Sequence, residues 1–217
     1  MIRLSIDQPE GNYYNKYGSK NVIVKKIMAN YFRSIDKVLN SLDFIKVYEA
    51  CCGEGHIVNY LNKSRTDLEI YASDISEDII SAAMKRWPSI KFHVSSIYKI
   101  EFSENCFDLV VACEVLEHLE RTREALQELL RISRRYLLVS VPKEPLWRML
   151  NIMRGQYITM LGNTPGHIRH WSQRQIAELV SEQCNIIKIH TPMPRTMILC
   201  EKRDNFYGKN NSKPIYI

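Results

Sequence analysis

Three stretches of this 217-residue chain concentrate side chains able to do chemistry. Residues 47–55, VYEACCGEG, bring together Glu49, the adjacent Cys51 and Cys52, and the glycines Gly53 and Gly55. A metal site, a redox pair and a ligand-cradling loop all draw on such residues. A second acid, Asp74, ends the run YASD. Further along, EVLEHL (114–119) and GHIRH (166–170) supply Glu114, Glu117, His118, His167 and His170. Carboxylates mixed with imidazoles suit a general base or a divalent ion.

The cysteines narrow the first stretch. All six, at positions 51, 52, 106, 113, 184 and 200, lack a CxxC spacing and the density of a disulfide-built secreted domain, so reduced thiols are expected. Adjacent residues at a strand end point to opposite sides, which makes Cys51 and Cys52 a poor chelating pair. A dinucleotide fingerprint, GxGxxG, would need a third glycine where Val58 stands. What remains is a strand ending in Gly-x-Gly and opening a helix, against which a ligand can approach bare backbone. An acid closing the next strand, as Asp74 does, can accept both hydroxyls of a ribose. Acid, glycines and acid in that order suit a nucleoside carrying a cationic amino acid better than one carrying a pyrophosphate.

Those residues need a scaffold, and hydrophobic periodicity predicts one. Val22 to Leu42 carries Ile23, Ile27, Tyr31, Ile35, Val38 and Leu42 at helical spacing. FIKVYEA then reads as a strand, GHIVNYLNKS as a helix, LEIYASD as a strand and SEDIISAAMKRW as a helix capped by Ser76. IKFHVSS, FDLVVACE and YLLVSVP are further strands, with the helical run HLERTREALQELLRIS before the last of them. Ser172 is placed to cap SQRQIAELVSEQ, and NIIKIHTP with TMILCEKR closes the sheet as a strand pair. Strands alternating with helices predict an α/β fold: a doubly wound, mostly parallel sheet of about seven strands with an antiparallel closing strand. One domain over 1–217 is expected, with an N-terminal helical segment at 1–42.

The rhythm breaks between 143 and 170, where a long connection holds an amphipathic helix with Leu146, Leu150 and Met153 on one side. A core-packing helix and a lid over the site both fit that insertion. Bulk composition excludes little: 45% hydrophobic and 25% charged residues are ordinary for a globular protein, and no stretch is long and apolar enough to suggest integral membrane association. The start of the chain lacks the apolar core of a secretory signal, so a cytoplasmic location is expected. The net charge of +6 is modest and its one cluster, Lys202, Arg203, Lys209 and Lys213, reads as a solvated tail, so no DNA partner is expected. Oligomeric state is not legible.

Taken in order, VYEACCGEG, YASDIS, FHVSSIYKIEF, FDLVVACEVLEHL and YLLVSVP resemble the class I S-adenosylmethionine-dependent methyltransferases, particularly the small type 11 group, over Val22 to Val141. The resemblance implies a Rossmann-like methyltransferase fold with S-adenosylmethionine as cofactor. It assigns Glu49, Gly53 and Gly55 to the methionine end, Asp74 and Ile75 to ribose and adenine, Ser96 and Ile97 to the adenine ring, and Cys113 to the methionine side. Cys51 stands where the family usually has glycine, and Ser96 where it usually has aspartate. Tyr17, in the leading segment, would close over the cofactor as such segments do in the family.

EVLEHL also resembles a stretch of ubiquinone-pathway O-methyltransferases and small-RNA 2′-O-methyltransferases, in which acids and histidines hold a divalent ion. The same letters occur in relatives without metal, and no metal is assigned here. His118, His167 and His170 are the candidate catalytic groups. The expected function is methyl transfer to oxygen or nitrogen of a small-molecule or lipid-like acceptor. A metal-assisted RNA 2′-O-methyltransferase and a non-catalytic S-adenosylmethionine-binding subunit are the alternatives.

Overall fold

The computed structural model describes residues 20–203 and the backbone of residues 215 and 216. Tyr17 and the basic positions Lys209 and Lys213 lie outside the described residues. Helix α1 (Val22–Leu39) is started by Asn21, whose side chain accepts the Ile23 and Val24 amides. It stops three residues before Leu42 and buries Met28, Tyr31, Ile35 and Val38 against the sheet.

The sheet follows from β1 (Lys46–Ala50), β2 (Glu69–Asp74), β3 (Lys91–Val94), β4 (Phe107–Cys113), β5 (Ser133–Pro142), β6 (Cys184–His190), β7 (Arg195–Lys202) and the two-residue β8 (Ile215–Tyr216). Their spatial order is β3-β2-β1-β4-β5-β7-β6-β8. The first five strands run parallel, and β7 is antiparallel to both β5 and β6, the closing pair that the sequence predicts. The chain proceeds from β1 outward through β2 to β3, then returns to the other side of β1 with β4. The switch point of the sheet therefore lies between β1 and β4, and crevices at strand C-terminal ends open there.

Period-2 alternation sends side chains to two cores. Val47, Leu109 and Val111 join α1, α2 (His56–Ser64) and α3 (Glu77–Arg86) on one face. Tyr48, Val110 and Ala112 join α4 (Thr122–Ile132) and α6 (Gln173–Ser181) on the other. Ser76 caps α3 through the Ile79 amide, and Ser172 forms a reciprocal capping box with Gln175 at α6, both at the predicted starts. The helix predicted from His118 begins only at Thr122, because Leu116–His118 is a separate 3-10 turn.

The insertion differs from its predicted pattern. Helix α5 (Leu146–Met153) forms, but its one buried residue is Asn151, while Leu146 and Leu150 are half-buried and Met153 is 80% exposed. Asn151 Nδ2 donates to Gly162 O at 2.9 Å and Thr164 Oγ1 at 3.2 Å, and these inner partners fix the rotation of the helix against its apolar pattern. Leu146, Leu150 and Met153 do not share one environment.

Candidate active site

Strand β1 delivers Glu49, only 2% exposed, to the start of α2. The N-cap of that helix is Gly55, which has no side chain to cap with, so a helix amide needs an acceptor from elsewhere. Glu49 Oε2 supplies it, accepting the Val58 N–H at 3.2 Å. Gly55 has φ +73°, and an added Cβ would lie 2.8 Å from Phe92 Cζ. Both conformation and space demand glycine there.

Asp74, at the end of β2, ties the glycine turn to its neighbour. Its Oδ2 accepts the Gly53 N–H at 2.9 Å and its Oδ1 accepts the Ser76 N–H at 3.2 Å, while the Cys52 N–H donates to Ser73 O at 2.8 Å. Cys51, where the family usually has glycine, indeed adopts a left-handed φ of +52°. A side chain in that region costs about 1–2 kcal/mol. Cys51 packs against the α4 and α6 core and Cys52 against the α1 to α3 core, so the two thiols diverge as the strand geometry predicts.

Among the described residues no ion pair joins either acid to a cation. Burial, reinforced by the nearby Asp74 charge and opposed by the Val58 N–H, pushes the Glu49 carboxyl up to about 8. Burial also raises the Cys51 and Cys52 thiols, and that of Cys113 up to about 12, which removes them as thiolate nucleophiles near neutral pH.

The adenine-side candidates follow β3. Ser95 N–H donates to Asp74 O at 3.0 Å, which brings the Ser96 turn beside the end of β2. Ser96 Oγ accepts the Tyr98 N–H, the side chain of Ile97 is buried in the α4 and α6 core, and Ile75 is 39% exposed. Cys113 is buried at the end of β4, beside the Tyr31 hydroxyl and Ser140, which hydrogen-bond each other at 2.8 Å.

One residue at this end of the sheet escaped the sequence reading. Arg195, 2% exposed, donates from Nε to Glu114 Oε2 at 3.0 Å. Its guanidinium lies 4.7 Å from the Tyr31 ring centroid and 5.4 Å from that of Trp147. It thereby joins α1, the exit of β4 and the insertion. The only sequence signal was a lone arginine opening an otherwise apolar strand, RTMILC.

The histidines separate into two sets. His118 and His167 rings meet edge to face, 4.8 Å between centroids, and His118 Nδ1 lies 3.0 Å from Gly166 O. That carbonyl can only accept, so Nδ1 carries a proton. Glu117 completes the group: its carboxylate and both imidazoles place one ligand atom each within 4.8 Å of one another. His170 is not part of it, with Nδ1 3.6 Å from Glu144 Oε1. The insertion is held over this corner by its own backbone, since the Ile168 and Arg169 amides both donate to Glu117 O at 3.0 Å.

A family model described as "Methyltransferase domain" matches residues 47–135, which span β1 through the start of β5 and contain both acids and the glycine turn. That stretch is similar to a methyltransferase domain. An uncharacterized methyltransferase of Schizosaccharomyces pombe is 27% identical over 118 residues, covering 49% of this chain and 39% of the yeast protein. The chain thus matches about two fifths of the length of that curated relative. Among solved structures, the magnesium protoporphyrin IX methyltransferase of Synechocystis PCC 6803 with bound SAH is 19% identical with a TM-score of 0.63, covering 86% of this chain and 90% of that one. The PH0226 protein of Pyrococcus horikoshii OT3 is 15% identical with a TM-score of 0.67, covering 85% and 93%. These likenesses confirm the predicted Rossmann-like methyltransferase fold.

Proposed function

We propose that the protein transfers a methyl group from S-adenosylmethionine to oxygen or nitrogen of a small-molecule or lipid-like acceptor. The observation that carries this reading is the pair of buried acids, Glu49 and Asp74, flanking a glycine turn, neither of them in an ion pair with a cation among the described residues. A ligand with a cationic amino-acid end and a ribose diol complements both acids. Glu49, Gly53, Gly55 and the backbone of Cys51 would hold the methionine end with Cys113 behind it. Asp74 and Ile75 would hold the ribose, and Ser96 with the backbone of Ile97 the adenine side.

When bound, S-adenosylmethionine supplies a sulfonium methyl group open to in-line attack. The work left to the chain is alignment and exclusion of water, effects worth several kcal/mol. The insertion at 143–170 serves as the cover, with Trp147 and His167 turned inward. For a hydroxyl acceptor, His118 Nε2 or His167 would take the proton, while His170 stays with Glu144.

A cationic ligand between the two acids also makes binding proton-linked. Free Glu49, at about 8, is mostly protonated at neutral pH, and a bound cation favours its carboxylate and lowers that value. The bound-state pKa is the lower one, so affinity rises with pH up to about 8 and is flat above. Calorimetry near pH 7 in buffers of different ionisation enthalpy is expected to show release approaching one proton, with affinity gaining up to about tenfold per pH unit. Glu49→Gln should abolish that linkage, and a buffer-independent enthalpy in the parent protein would count against it.

The convergence of Glu117, His118 and His167 favours a second reading, in which these three hold a divalent ion that assists transfer to a hydroxyl of RNA. One experiment separates the two: labelled methyl transfer into lipid, RNA, protein and small-molecule fractions, with and without chelator. Label in small molecules or lipid that persists with chelator supports the first reading. Label in RNA that the chelator abolishes supports the second, and no label despite cofactor binding supports a non-catalytic subunit.

A further inference from the structure

Among the described residues, fourteen large apolar side chains are exposed, and seven of them fall between Met149 and Ile168. On α5 these are Met149, Ile152 and Met153, spaced three and four residues apart on one helix face. Ile158, Met160 and Leu161 follow from the adjoining 3-10 turn. The two pieces form one surface. A Cβ on Gly162 would fall 2.2 Å from Arg148 O and 2.9 Å from Ile152 Cγ1, and Arg148 Nε donates to Leu161 O at 3.0 Å.

The segment is thus inverted relative to an ordinary surface helix. Asn151, Trp147 Nε1 and Thr164 bond to one another on the inside, and the methionines and isoleucines face out. Contiguous exposed apolar area rimmed by charge marks a docking surface. The charge is one-signed: between 143 and 170, Lys143, Arg148, Arg154 and Arg169 stand against the single acid Glu144. Arg148 is tied to the patch through Leu161 O, and the exposed Arg154 is held from the inner side by Asn151 Oδ1.

We propose that this face docks the protein onto an anionic lipid surface, its apolar side chains entering the interfacial layer and its arginines meeting headgroup phosphates. Short amphipathic elements bind membranes by this combination of buried apolar area and attraction to anionic lipid. The element lies on the bilayer and does not cross it, since no described helix is long and apolar enough to span a membrane. The inner side of the same segment carries Trp147, stacked 6.3 Å from His167, so docking sets the candidate site at the lipid boundary. The proposal rests on this surface alone and needs neither turnover nor a known acceptor.

The test is co-sedimentation of the full chain with vesicles of phosphatidylglycerol and phosphatidylcholine in equal parts, against pure phosphatidylcholine. The expected result is binding to the anionic vesicles alone, weakened several-fold between about 0.1 M and about 0.5 M salt. A Met153→Glu/Ile158→Glu variant should bind at least about tenfold less, while Met84→Glu, on an exposed site of α3, should bind like the parent. Three results would overturn the proposal. One is no vesicle binding, including binding that emerges only after removal of residues 1–19. Another is binding untouched by the double substitution. The third is a parent dimer, seen by light scattering, that the double substitution converts to monomer.

Discussion

Asp74→Ala is expected to weaken S-adenosylmethionine binding by about 10²-fold while leaving a folded protein. Asp74 is 6% exposed and spends one oxygen on the Gly53 amide and the other on the Ser76 amide. Each carboxylate oxygen has a second lone pair, enough for the two hydroxyls of a ribose. Hydrogen bonds to a charged group are worth about 1.5–3 kcal/mol each, so losing two removes roughly 3 kcal/mol or more, which is about two decades of affinity. The truncation also unties the glycine turn from β2, a cost that Asp74→Asn partly avoids because its remaining carbonyl oxygen still accepts. Calorimetric titration of both variants, with thermal unfolding as the control for folding, should rank them parent, then asparagine, then alanine. A folded alanine variant that binds as tightly as the parent would remove Asp74 from the site.

Arg195→Met should cost stability more than it costs any single contact. Its guanidinium is 2% exposed and its partner Glu114 has only 11% of its side chain in contact with solvent. Deleting one member of a buried pair takes from the other its opposite charge, a loss of about 3–5 kcal/mol out of the roughly 5–15 kcal/mol that holds a typical domain together. The Tyr31 and Trp147 rings lose a cation as well, at about 0.5–2 kcal/mol each. Glu114→Gln/Arg195→Met removes both charges and should recover part of the deficit, a coupling that a merely apolar contact would not give. Urea unfolding of the parent, both single variants and the double variant measures this. A deficit below about 1 kcal/mol for Arg195→Met would show that the pair is solvated and not structural.

The sequence by itself determined the architecture and the turn at which Glu49 and Asp74 come together. Strand and helix periods are local, caps such as Ser76 and Ser172 act over three residues, and the glycine turn with its two acids is carried on the ends of adjacent strands. Once the parallel order of β1 and β2 follows, Glu49 and Asp74 are carried to the same turn, where they accept the Val58 and Gly53 amides.

Only the tertiary structure decided the rest. Glu114 and Arg195 are 81 positions apart, and nothing local to either predicts that β5 and β7 bring them together. Of three histidines equivalent in sequence, His118 and His167 converge while His170 turns to Glu144, because the path of a long connection depends on what its backbone bonds to. The outward face of α5 was equally hidden. Apolar spacing predicts which residues share a helix face, but the rotation of that helix was set by Asn151 finding Gly162 and Thr164 inside, leaving its methionines to the surface.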